Sequence, residues 1–289
     1  MATENMESNK KVRIVSPLSY LDDVVISTER MRVRAQVRLS HLAKQGREDR
    51  VTEAILNDFQ KLEEKYTQEL KKEMEQHPAW PWLSQVRGAG PENSAKVIGI
   101  IEGTTFKSTG RWGIAAFDTM SRLRRFAGHA PMDGKTEKRT KGEKLHYSSE
   151  LRTMLWRLGE SLIRADGAFY RYYIDKKNEY IDRFTRDGYK ILPTPKGGYR
   201  CSNCDAHFKL KRDVHDCCDS PLPEKVLKKE PPGVIFLGHL DAMARRKMRV
   251  MFLDMLWIYW REALGLPAQR SYIAGCKPIR QHRPEDFIG

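Results

Sequence analysis

No stretch of this chain comes near the roughly 20 consecutive apolar residues that span a bilayer. The best candidate, Met251 to Trp260, is too short and contains Asp254. The opening MATENMESNKK lacks the apolar centre of a secretory leader. Membrane and secreted classes are therefore set aside, and a cytoplasmic protein is expected. Cysteine is scarce: five residues in 289, four of them between 201 and 218 and Cys276 standing apart. That is too few and too clustered for a disulfide framework, and fits metal ligands in a reducing compartment. No repeat or low-complexity tract is visible, and the first hundred residues carry no βαβ pattern. Strand signal is confined to a few residues around Tyr199 and Val234.

The composition that is present, 40% hydrophobic and 31% charged with a mean hydropathy of −0.64, is too apolar for a disordered chain. Charge is strongly one-sided. Fifty-two Lys and Arg against 38 Asp and Glu give +14 and a pI near 9.5. Such a balance favours a polyanionic partner, nucleic acid above all.

Helical periodicity dominates. Residues 1–19 are polar and are expected to form a disordered tail. Residues 20–78 form a helical arm broken near Gly46. Its second helix has Ile55, Phe59, Leu62, Tyr66, Leu70 and Met74 at steps of three and four. Asp49 is its expected N-cap, and His77-Pro78 ends it. The stripe needs a partner, either the preceding helix (Val33, Val37, Leu42) or a second chain in a coiled-coil homodimer. Residues 79–187 are helical with a basic loop at 132–147, and 188–233 are rich in Pro, Gly and Cys. Residues 234–289 hold a last basic and aromatic helix, about 239–264. The fold class is mainly α, a helix-hairpin-helix core with an N-terminal helical arm and a small zinc-knuckle insertion.

The helix-hairpin-helix reading rests on Trp82 to Ile98, where Arg87-Gly88-Ala89-Gly90-Pro91 turns between two apolar helical segments. Two glycines let a turn reach positive φ and approach another backbone closely. The N–H groups of the turn and of the next helix's first turn then form a nest suited to a phosphate oxygen. Pro91 fits the first helical position. Arg87, Gly88, Ala89, Gly90, Ser94 and Lys96 are thus candidate DNA-binding residues, reading backbone rather than bases. A second glycine turn, Arg124-Arg125-Phe126-Ala127-Gly128, adds Arg124 and Arg125, and the basic loop adds Lys138, Arg139 and Lys141. A structural hairpin and solvated basic faces are the plainer explanations.

Cys201-x2-Cys204 is a metal knuckle, and a second pair about ten residues later closes a tetrahedron. His207, His215, Cys217 and Cys218 compete for two places. His215 and Cys218 repeat the x2 spacing and are preferred, with Cys217 the first substitute. Four ligands with no open position make a structural Zn2+ site.

With these motifs in place, residues about 50 to 180 resemble the C-terminal domain of DEDD-class insertion-sequence transposases, relatives of the Piv and MooV invertases. In that family a charged segment ends near His-Pro, here His77-Pro78, and runs into the glycine hairpin, here Arg87 to Pro91. Phe117, Ser121, Leu123 and Phe126-Ala127-Gly128-His129-Ala130-Pro131 follow the family's next element, and Leu151-Arg152 with Leu155 its last helix. The resemblance implies a DNA-binding role in transposition or recombination, nucleoid association, and structured RNA as a second candidate ligand. The family's RuvC-like acidic domain has no counterpart here, and Met132-Asp133-Gly134 stands where the family has a serine. Ser148 and Ser149 are better read as a helix cap. No catalytic residue is assigned. The alternatives are a strand-transferring component working with a partner chain, and a repair or chromatin protein.

Overall fold

The computed structural model describes residues 16–106, 110–132, 135–137, 142, 145–195, 197–214, 217–226, 229–268 and 282–289. Among these the chain is mainly helical. The first half runs α1 (Pro17–Ala43), α2 (Arg50–Glu75), α3 (Trp80–Leu83) and α4 (Pro91–Glu102). The ladder β1 (Thr105–Phe106) with β2 (Arg111–Trp112) follows, then α5 (Met120–Phe126) and the ladder β3 (Pro131–Met132) with β4 (Lys135–Thr136). Then come α6 (Ser149–Arg164), α7 (Ala168–Arg186), β5 (Lys190–Leu192), β6 (Tyr199–Cys201), β7 (His207–Phe208), β8 (Pro223–Lys225), β9 (Val234–Phe236) and α8 (Leu237–Ala263). No helix among the described residues is long and apolar enough to cross a membrane. The chain divides into two compact units, Met1–Arg171 with Met248–Gly289, and Tyr172–Lys247. The smaller unit is therefore wider than the insertion expected at 188–233.

In the larger unit α1 begins at Pro17, inside the expected tail. Ser16 caps it by accepting the Ser19 N–H at 3.0 Å, and Leu18 and Ser19 are buried. A serine followed by proline at the first helical position is a start signal that the polar composition around it obscures. The helices α1 and α2 pack on each other as a hairpin. Asp49 Oδ1 caps α2 by accepting the Thr52 N–H at 3.0 Å, while Arg38 reaches its other oxygen. The Thr52 amide and hydroxyl, with Arg38, hold the Asp49 carboxyl down at about 2. The expected stripe is only partly covered: Leu70 and Met74 are buried, but Ile55 and Leu62 are 43% and 38% exposed.

The centre of this unit is α4, buried continuously from Ser94 to Ile101. At Gly99 α1 crosses it so closely that a Cβ would lie 3.1 Å from Asp22 Cβ. Glu102 accepts hydrogen bonds from Ser16 Oγ and, at 3.2 Å, pairs with His77. The aromatic residues of α8 from Phe252 onward are core: Phe252, Trp257 and Trp260 are buried, and Trp257 donates to the Phe117 carbonyl at 2.7 Å. Ser148 caps α6 through the Leu151 N–H.

In the smaller unit β5 and β9 pair in parallel, Lys190 opposite Val234, and β7-β6-β8 form an antiparallel sheet. Tyr173, Lys177 and Arg245 converge on Asp241, the last two at 3.1 and 2.6 Å. The basic start of α8, placed unfavourably for the helix dipole, thus has an internal anion beside Arg245.

Candidate metal centre and nucleic-acid interface

The sulfur cluster is built by the β6–β7 hairpin. Cys201 ends β6, and the chain reverses so that the Asp205 N–H returns to the Cys201 carbonyl at 2.9 Å and the Cys201 N–H to Ala206. Asp205 takes φ of 59°, the left-handed conformation that Asp tolerates better than most residues. This turn brings Cys204 alongside Cys201, and the 3-10 turn Lys211–Val214 delivers Cys217 and Cys218 from the other side. The four Sγ atoms all lie within 4.8 Å of one another. Cys201–Cys218 is 3.7 Å, Cys204–Cys217 3.5 Å and Cys217–Cys218 3.8 Å. A disulfide needs about 2.05 Å. Tetrahedral zinc with Zn–S of about 2.3 Å separates its sulfurs by about 3.8 Å, so the cluster has the dimensions of a four-thiolate site. The Leu222 N–H, followed by those of Cys204 and Asn203, holds the Cys201 thiol down at about 6. Burial, then Cys201 itself, pushes the Cys217 thiol up.

The cluster includes Cys217, the first substitute in the sequence assignment. Cys217 joins Cys201, Cys204 and Cys218, whereas His215 lies outside the described residues. The x2 spacing favours His215; the adjacent cysteines nevertheless both reach the cluster, their sulfurs 3.8 Å apart. His207 is exposed on β7.

At the glycine turn, α3 is a single helical turn of four residues, and only one of the two glycines takes positive φ. Gly88 has φ of 91°, while Gly90 is the α4 N-cap at φ −59°. Gly88 is a packing glycine: a Cβ there would lie 2.8 Å from the Ser161 carbonyl oxygen and 2.9 Å from Leu162 Cα. Gly90 is exposed with nothing within 4 Å of a built Cβ, and Arg87 beside it is exposed. Ala89 is buried.

Two side chains expected to face phosphate are engaged internally. Ser94 is 1% exposed and its Oγ donates to the Ala89 carbonyl at 3.1 Å. Lys96 is buried along its stem and reaches Glu92 at 3.1 Å, to which Lys71 also points at 3.8 Å. The reason is that α4 is enclosed on every side, by α1, α2 and α6, so that from Ser94 to Ile101 no face of the helix reaches solvent. Arg124 is bidentate to the buried Asp254, at 2.7 Å through Nε, and Arg125 is exposed. Gly128, at φ of 68°, lies against the Tyr147 ring and closes α5 through the His129 N–H to the Arg124 carbonyl. Lys138, Arg139 and Lys141 lie outside the described residues.

Sequence reasoning passed over a groove of about 720 Å³ beside this turn, lined by Asn93, Trp156, Arg157, Glu160, Ser161 and Arg164. The signal was available: Leu151, Leu155, Leu158 and Leu162 set the buried phase of α6, and Trp156 falls out of it. Comparison with protein-family models, with curated proteins and with solved structures finds no match to this chain.

Proposed function

We propose that this is a nucleic-acid-binding protein that holds sugar–phosphate backbone at the α3–α4 turn and carries a structural zinc in its four-cysteine cluster. Its setting is the mobile-element DNA that the resemblance to transposase C-terminal domains implies. The observation that carries the reading is the α3–α4 turn. Gly88 seats it on α6, leaving Gly90 open to solvent at the head of α4 with Arg87 alongside. A helix start has unpaired N–H groups and a partial positive charge, both favourable to a phosphate oxygen. The +14 net charge supplies the long-range attraction. Glu92, in the same first turn, opposes an anion, and its pairing with Lys96 and Lys71 offsets that charge. Binding through such a contact is sequence-tolerant and strongly salt-dependent.

Four thiolates with no open position make the zinc a support for the knuckle rather than a catalyst. Exposed Lys209 and Lys211 lie on the arm between the two cysteine pairs and extend the basic surface of that unit.

The test compares the parent with Gly90→Val and Arg87→Ala on two duplexes of unrelated sequence, by fluorescence anisotropy across a salt series. A Cβ at Gly90 has nothing within 4 Å and the φ is allowed to any residue, so the variant should fold, yet its branched side chain stands where a phosphate would approach. Both duplexes should weaken alike, and Arg87→Ala should lower the slope of log K against log salt by about one. A folded Gly90→Val variant that binds both duplexes as the parent does would overturn the reading.

A further inference from the structure

The groove between the start of α4 and the outer face of α6 has the chemistry of a base-stacking site. Trp156 is 55% exposed, whereas Trp82, Trp257 and Trp260 are all buried. Nothing in the packing of α6 requires an indole there, because the leucines that hold the helix to its neighbours lie on the opposite phase. Arg157 and Arg164 flank it. Arg157 is 46% exposed along its side chain, with Glu29 no closer than 3.9 Å. Arg164 is exposed and uses only Nε, on the Glu160 carbonyl at 3.3 Å, with no other partner among the described residues. Asn93 contributes a carboxamide from the facing wall, and Glu160 a carboxylate. The volume of about 720 Å³ lies within the range of about 300–1,000 Å³ usual for small-ligand sites.

We propose that this groove takes an unpaired nucleobase of single-stranded nucleic acid, stacked on Trp156, with the adjoining phosphates met by Arg157 and Arg164. The proposal rests on the nucleic-acid reading above and deepens it. An indole face accepts any base, so the site tolerates sequence. Stacking requires a base whose face is open, which a duplex withholds. Asn93 offers both a donor and an acceptor to a base edge that is free only when unpaired. Glu160 repels phosphate, which keeps the backbone away from the middle of the groove. Arg164, exposed and with no carboxylate partner among the described residues, supplies the free cation for a phosphate, while Arg157 shares its charge with Glu29 at 3.9 Å.

The experiment measures binding of the full chain to a fluorescent single-stranded oligodeoxynucleotide, to an abasic oligomer of equal length, and to a duplex. The abasic strand keeps the phosphates and removes the stacking partner. The parent should prefer the base-bearing strand by roughly tenfold, the order expected for one stacked base. Trp156→Ala should abolish that preference while leaving abasic and duplex affinity unchanged, and Trp156→Phe should keep most of it. The side chain is exposed, so thermal unfolding of both variants should match the parent. Equal binding of base-bearing and abasic strands by the parent, or an equal loss on both in Trp156→Ala, would overturn the proposal. Duplex binding that survives without base preference would refute the groove alone. Base preference retained by a parent that ignores duplex would refute the α3–α4 grip alone. Failure to bind any of the three would refute both.

Discussion

Gly88 and Gly90 are two residues apart in one turn and have opposite reasons for being glycine. Gly88 combines φ of 91° with a backbone approach to α6 that leaves no room for a Cβ. Gly90 has an ordinary φ and open surroundings. Positive φ costs a non-glycine residue about 1–2 kcal/mol, and forcing a methyl into a packed contact costs about 1–3 kcal/mol more. Gly88→Ala should therefore lose about 2–5 kcal/mol of unfolding free energy in urea. Gly90→Ala should be neutral or gain up to about 1 kcal/mol by restricting the unfolded chain. Equal effects at the two positions would contradict the division of roles. Ser94 and Lys96 show the same dependence on surroundings: their residue types suit phosphate, but α4 is enclosed on all sides and both are buried.

At the scale of elements, the arm poses a packing problem. Between Arg30 and Tyr66 only Ala35 and Thr52 are buried, while Val33, Val37, Val51, Ile55 and Leu62 are each at least 38% exposed. Two isolated helices with so little buried between them gain little stability from their own contact. A second copy of the chain, the coiled-coil partner raised by the periodicity, would cover the stripe. Light scattering should then give a dimer mass that Leu62→Glu reduces to the monomer without loss of helical circular dichroism; a monomeric parent would rule the dimer out. The caps of this arm were legible in the sequence. Asp49 before Arg50-Val51-Thr52 is a local signal, as is Ser148 before α6, and capping depends on neighbours three residues away. The positions of β6 and β9 were also legible, from Tyr199 and Val234. What was not legible depended on distant contacts. Nothing near Gly88 announces that α6 will press on it from Ser161 and Leu162, and nothing near Arg124 announces Asp254, 130 positions away.

At the scale of the whole chain, the two units differ in what holds them together. The larger one has a continuous apolar core around α4 and the second half of α8. Between β5 and β9 the smaller one has, among the described residues, only Cys201 and Val214 as buried core residues, and strands of two or three residues. So short a sheet cannot offset the conformational entropy of its own ordering. Metal binding can, because coordination energy of about 10–16 kcal/mol in small zinc modules is folding energy. Purified protein should accordingly contain about one zinc per chain. Cys201→Ser and Cys217→Ala should each bring that to background, whereas His215→Ala should leave it intact. Chelation should open residues 193–233 to protease while the larger unit's thermal transition stays in place, since its core includes none of these ligands. A zinc content near background in the parent would remove the metal centre. Full retention in Cys217→Ala with loss in His215→Ala would return the fourth position to the histidine.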